Sequence, residues 1–137
     1  MSVILVYLKD VAAFDESGFY KWLADNGQFY HNEVQINMQG LEIIQRQCFR
    51  NSQLAFYVRG MDYIEGMYVA NGLQLPLDHA WNAVNKMTVD LTTAKFGFTV
   101  QERFGIKVPD AFMHEYFESD QILTPLKSYY FKKIMRK

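Results

Sequence analysis

The chain has 137 residues, 50% of them hydrophobic and 16% aromatic, which is enough for one domain with a real core and too little for two. Its formal net charge of -1 argues against a generic nucleic-acid binder, because neutralising phosphates takes an excess of Lys and Arg. A single cysteine, Cys48, can neither close an internal disulfide nor build a Cys-rich zinc site, so this thiol is either buried filler or a reagent.

Val3 to Leu8 is short, β-rich and bounded by Lys9-Asp10, which predicts an early strand. The run is far below the roughly 20 apolar residues of a transmembrane helix. It also lacks the charged n-region and cleavage site of a signal peptide, so the expectation is a cytoplasmic protein with no membrane span. Asp15-Glu16-Ser17 offers helix-capping side chains, and Phe19, Trp22 and Leu23 follow at helical spacing, predicting a short helix that ends near Asp25-Asn26-Gly27. Residues 28 to 40 are polar and weakly patterned.

From Leu41 the pattern strengthens. Asn51, Leu54, Ala55 and Val58 recur at i, i+3, i+4 and i+7, Cys48, Ser52 and Ala55 share the neighbouring stripe, and Gly60 is placed to end the helix. Tyr63 to Val69 reads as a strand with Tyr63, Glu65, Met67 and Val69 on one face. After a loop with Asn71-Gly72 and Pro76, His79 to Val84 and Met87 to Leu91 read as two further strands around a turn at Asn85-Lys86. Phe96-Gly97-Phe98 and Phe104-Gly105-Ile106 favour loops and short strands, and Asp110 to Phe117 a capped helical turn or two. The basic end, 128–137, with Lys132, Lys133, Arg136 and Lys137, reads as a solvated tail. Nothing marks a domain boundary, so 1–137 is expected to form a single domain.

The expected fold class is α+β, with a central helix carrying Cys48 packed on an antiparallel sheet. A thiol at a helix N-terminus is favoured as a nucleophile, because the unpaired N–H groups and the positive end of the dipole stabilise thiolate over thiol. His79 is the candidate base and Asp90 the group that would orient it. Facing His79 with Asp90 in a hairpin also faces Asn82 with Met87 and Ala83 with Lys86, which leaves a connection of ordinary length. Directly opposite residues share a face, so the spacing permits Cys48, His79 and Asp90 to meet.

Other residues take supporting places. The backbone N–H of Cys48 is a natural oxyanion donor, and Gln45 or Gln47 could add a side-chain amide. Asn51, one turn after Cys48, is placed to bond a neighbouring strand or a substrate. Glu65 lies on an otherwise apolar strand face, where a buried carboxylate needs partners; it reads as structural, with a polar substrate contact as the alternative. Trp81 reads as packing against the helix. His31 and His114 have no carboxylate at hairpin distance. No metal or cofactor is expected, since no ligand pair stands at the short helical spacing of zinc enzymes.

His79-Ala80-Trp81 followed by Val89-Asp90-Leu91-Thr92 resembles the transglutaminase-core pattern, in which a His-Ala-Trp strand leads through a turn to an Asp-Pro-Thr strand. Gln47-Cys48-Phe49 is similar to that superfamily's Gly-Gln-Cys-Trp nucleophile segment. Cys48, Asn51-Ser52, Tyr63-x-Glu65-Gly66, Pro76 and His79-Ala80-Trp81 also resemble a group of small, largely uncharacterised bacterial and phage proteins that share a Cys-x-x-Asn, Glu-Gly, His-Ala-Trp and Asp pattern. Leu91 stands where proline is usual and Arg46 where the pattern has glycine. The resemblance implies a papain-like, transglutaminase-like core over about 41–108 and a thiol-dependent hydrolase or acyltransferase. Such an enzyme acts on a peptide or a small amide or ester through Cys48, His79 and Asp90. The alternative is a non-catalytic binding protein that keeps the fold. Tyr129-Tyr130-Phe131 beside the basic end would suit such a contact with a protein partner or a second copy, with no specific nucleic acid.

Overall fold

The computed structural model describes residues 2–118 and 125–136. Its first element corrects the sequence expectation: Val3–Ala12 is a helix, α1, not a strand. The Ser2 hydroxyl accepts from the Leu5 N–H at 3.0 Å, and the Glu102 carboxylate accepts from the Ile4 N–H at 2.6 Å. The negative charge at the first turn outweighs the β preference of Val3 and Ile4. Ile4 and Leu8, one turn apart, are then fully buried. The helix α2, Phe19–Asn26, falls where the sequence puts it, with Ser17 Oγ accepting from the Phe19 N–H at 3.1 Å.

The sheet is antiparallel throughout, with β1 (Gln28–Phe29), β2 (Asp62–Ala70), β3 (Leu77–Val84), β4 (Met87–Val89) and β5 (Val100–Val108) in the order β1-β5-β2-β3-β4. The chain at and just after β1 reaches both sides of the sheet: Gln28 and Phe29 of β1 pair with β5, and Glu33 bridges Thr88 of the opposite edge strand β4. The sheet is therefore curled into a half-barrel with an inner and an outer face. The outer face carries Tyr63, Glu65, Met67 and Val69 of β2, opposite Val108, Ile106, Phe104 and Glu102 of β5. Helices α1 and α2 cover one half of it through Ile4, Leu8 and Leu23. The helices α3 (Cys48–Arg59) and α5 (Asp110–Glu118) cover the other through Phe56 and Met113. The inner face holds a separate cluster of Tyr30, Ile64, Trp81 and Ala83. Gly66 of β2 lies between Gly105 and His79, and a Cβ on it would stand 2.1 Å from the Phe104 carbonyl oxygen. Only glycine lets these strands approach so closely.

Three further corrections concern the second half. The aromatic-glycine stretch after residue 92 is not loops and short strands: Leu91–Phe96 is a helix, α4, ended by Gly97 at φ 75, and β5 is nine residues long. The β3–β4 turn is at Asn85-Lys86, both with positive φ, as a tight two-residue hairpin requires. It pairs Val84 with Met87 and Asn82 with Val89, two residues away from the register that would face His79 with Asp90. The basic end is no loose tail, since Lys127–Met135 forms a helix, α6, anchored by buried Leu126, Lys127 and Phe131. Lys132, Lys133 and Arg136 are exposed on it, and Lys137 lies outside the described residues. No helix among the described residues is long and apolar enough to cross a membrane. The architecture is α+β.

Candidate active site

Helix α3 begins at Cys48, with the Asn51 N–H donating to the Gln47 carbonyl at 2.8 Å. The N–H groups of its first turn, Cys48 included, have no intrahelical acceptor and point toward the N-terminal end. Asn51 is almost fully buried and fixes this start. Its amide donates to the Ile44 carbonyl and to the Thr92 hydroxyl, each at 2.9 Å, and its carbonyl accepts from the Ile44 N–H at 3.0 Å. Asn51 thus ties the preceding loop and α4 to the helix that begins at Cys48. Arg46 turns that loop at φ 65, a left-handed conformation uncommon for a side-chain-bearing residue. Gln45 and Gln47 are both exposed; Gln45 lines the cavity beside Cys48 and Gln47 serves as the N-cap position.

His79 lies on the inner face of β3, buried, with its ring stacked on Tyr68 at 4.2 Å and on Trp81 at 5.8 Å. Its Nε2 meets Asp90 Oδ2 at 2.8 Å. Asp90 is not on a strand: β4 ends at Val89, and Asp90 caps α4, its Oδ1 accepting from the Thr93 N–H at 3.2 Å. The carboxylate of an N-cap offsets the orphan donors of the first turn, and this local preference ends the strand. The register slip of two residues leaves every side chain on the face it would otherwise occupy. His79 and Asp90 consequently meet along a diagonal rather than across a directly opposed pair.

Arg103 is a member of the cluster that its position in the sequence does not reveal. From β5, buried opposite Tyr68, it donates from Nε to the same Asp90 Oδ2 at 2.9 Å and from Nη2 to Glu33 at 2.6 Å. The carboxylate of Asp90 therefore carries two cationic partners and a backbone N–H. Burial alone would push the Asp90 carboxyl up, but His79 and Arg103 more than offset it and hold its pKa below the ordinary value. Burial likewise works to lower the pKa of His79, and the Asp90 charge, their hydrogen bond and the neighbouring Cys48 thiol together raise it to about 9. With Nε2 committed to Asp90, Nδ1 is the nitrogen left for the thiol.

Cys48 and His79 line one cavity of about 230 Å³, shared with Tyr68, Leu77, Thr92 and Phe98. Larger clefts lie elsewhere, about 420 Å³ beside Tyr30, Lys86 and Lys107 and about 470 Å³ beside Trp22 and Tyr130, but neither contains the thiol. His31 stacks on Phe29 and His114 packs beside Phe56, and neither lines the Cys48 cavity. Among the described residues no group of three or more His, Cys, Asp or Glu side chains is placed to hold a metal ion. Trp81 is fully buried in the inner-face cluster, edge-on to Tyr30, rather than packed against the helix.

Glu65 is on the outer face and is fully buried. Its oxygens accept from the Tyr63 hydroxyl and from the backbone N–H groups of Leu126 and Lys127 at the start of α6. Burial raises its pKa despite the opposing pull of the Lys127 charge and these donors. Lys127 in turn reaches Asp78 at 3.2 Å. Glu65 therefore caps and docks the last helix. A glutamine at this position would set an amide N–H₂ in place of one of the two acceptor oxygens, against a donor, so Glu65→Gln is expected to cost about 1–3 kcal/mol. The check is a thermal melt, expected to shift down by several degrees while alkylation of Cys48 keeps its rate. An unshifted melt with a lost thiol reaction would move Glu65 into the chemistry.

No family model matches this chain, and no curated protein or solved structure matches it.

Proposed function

We propose that the chain is a thiol-dependent hydrolase or acyltransferase that acts on a peptide or a small amide or ester through Cys48, His79 and Asp90, on a papain-like, transglutaminase-like core. The observation that carries this reading is the 2.8 Å contact of His79 Nε2 with Asp90, beside a cavity that Cys48 and His79 line together. A second observation supports the family resemblance. Arg46 stands where the nucleophile segment of that superfamily has glycine, and its backbone takes φ 65, the region glycine favours.

In the reaction Cys48 Sγ attacks the carbonyl carbon, its proton having passed to His79. The negative charge that develops on the carbonyl oxygen faces the Cys48 N–H at the start of α3, where the donor is fixed and the helix dipole favours an anion. His79 then gives its proton to the leaving nitrogen or oxygen as that bond breaks. Water or an amine next attacks the thioester carbon and loses a proton to His79, and Sγ leaves as thiolate. Asp90, held by Arg103 and the Thr93 N–H, keeps the imidazole oriented through both halves.

The test is the thiol itself. Iodoacetamide is expected to alkylate Cys48 near neutral pH much faster than it alkylates free cysteine, and Cys48→Ser is expected to fold and lose all ester turnover. Alkylation no faster than free cysteine, or turnover retained in Cys48→Ser, would sink the reading.

A further inference from the structure

The cavity that holds the nucleophile combines polar side chains, Arg46 and Asp78 among them, with the apolar Tyr68, Leu77 and Phe98, and two of the apolar ones are open to water. Leu77 is 41% exposed and Phe98 is 52% exposed, although both are large apolar residues beside Cys48 and His79. Their backbone is not loose. The Phe98 N–H donates to the Thr93 carbonyl at 3.0 Å, which fastens it to the helix that Asp90 caps. The Asn71 N–H donates to the Thr99 carbonyl at 2.9 Å, which fastens the loop after β2 to the residue following Phe98. That loop carries Leu73 and Leu75, themselves 52% and 58% exposed. Of these, Leu77 and Phe98 border the Cys48 cavity itself, where a bound molecule would cover them.

Resting on the reading of this site as a thiol acyl-transfer centre, we infer that its acyl donor carries an apolar group, a single aromatic ring or a branched aliphatic chain, next to the reacting carbonyl. The chemistry selects the acyl side. Once Sγ has formed its bond to the carbonyl carbon and the leaving group has departed with the proton from His79, only the acyl group remains. It must occupy the cavity next to Sγ while water or an amine enters from outside. A cavity of about 230 Å³ is ample for this, since an apolar cavity of about 150 Å³ is known to hold benzene. Tyr68, held by its stacking on His79, adds aromatic surface to the lining.

The experiment compares the acylation of Cys48 by p-nitrophenyl acetate and by p-nitrophenyl phenylacetate, esters with one leaving group, each rate divided by that for free cysteine. The wild-type protein is expected to favour phenylacetate by about 10-fold or more, the range that filling an apolar pocket gives. Phe98→Ser and Leu77→Ser are each expected to bring that ratio toward one. Equal normalised rates in the wild type, or a preference that both variants leave intact, would overturn the apolar acyl site while the thiol chemistry stands. If neither ester acylates Cys48, the reading of the site as a nucleophilic centre falls, and this inference falls with it.

Discussion

Replacing His79 by alanine is expected to lower amide or ester turnover by about 10²–10⁴-fold, the usual worth of a positioned general acid–base group. The variant should remain folded, because Asp90 keeps Arg103 and the Thr93 N–H as partners and is not left as an unpaired buried charge. In the unaltered protein the same histidine is expected to set the alkaline limit. Its pKa is raised to about 9, so the imidazolium proposed to protonate the leaving group persists to that pH, and turnover is expected to fall away above it. Stability follows the same linkage. A raised histidine contributes fully below its ordinary value of 6.5, and that contribution is lost as pH rises through about 9. Asp90 acts in the opposite direction: lowered in the fold, it contributes above 3.8 and loses that contribution as pH falls through its folded value. Melting temperature should therefore hold a plateau between pH 3.8 and 6.5, where both contributions are full, and drop on both sides. A pH–rate profile whose alkaline limb lies near 6.5, or one unchanged in His79→Ala, would remove His79 from the chemistry.

Much of this site was legible in the sequence because its main members sit on locally determined elements. The start of α3 follows from helical periodicity and the Gly60 stop, and the positive φ of Gly60, 69°, is what that stop needs. The alternation of Tyr63, Glu65, Met67 and Val69 likewise yields the outer face of β2. The places where the reading fails are decided at long range. Val3 to Leu8 becomes a helix because Glu102, almost the whole chain away, accepts the Ile4 N–H. The Asp90 cap competes with continuation of β4, and only the helix that follows shows which wins. The hairpin register is two residues off, yet His79 and Asp90 still meet, since a two-residue slip conserves the face. Arg103 lies on a strand of its own and reaches Asp90 only because the sheet curls, so no spacing rule brings the two together. Glu65 was recognisable as a buried charge in need of partners, but those partners belong to α6, which composition presents as a charged tail.

The second large effect is expected from Asp90→Asn. The substitution keeps the side chain's shape and one oxygen for the α4 cap, but it removes the charge that favours the imidazolium. Burial then acts on His79 with less opposition, and its pKa is expected to fall, a shift readable from the ring proton resonances across pH. The amide nitrogen could also present a donor to Nε2, which selects the imidazole tautomer that carries its proton on Nδ1 and cannot accept one from the thiol. By analogy with serine triads, the combined cost to turnover should be about 10²–10⁴-fold. Arg103 is what separates this outcome from simple unfolding. Its guanidinium still pairs with Glu33 at 2.6 Å, so the buried cation keeps a carboxylate when Asp90 is neutralised. Asp90→Asn should therefore give a folded protein with an intact thiol, slow turnover and an alkaline limb displaced to lower pH. Turnover within a few-fold of the unaltered protein, with the His79 titration unmoved, would mean that the 2.8 Å contact holds the half-barrel together and takes no part in the reaction.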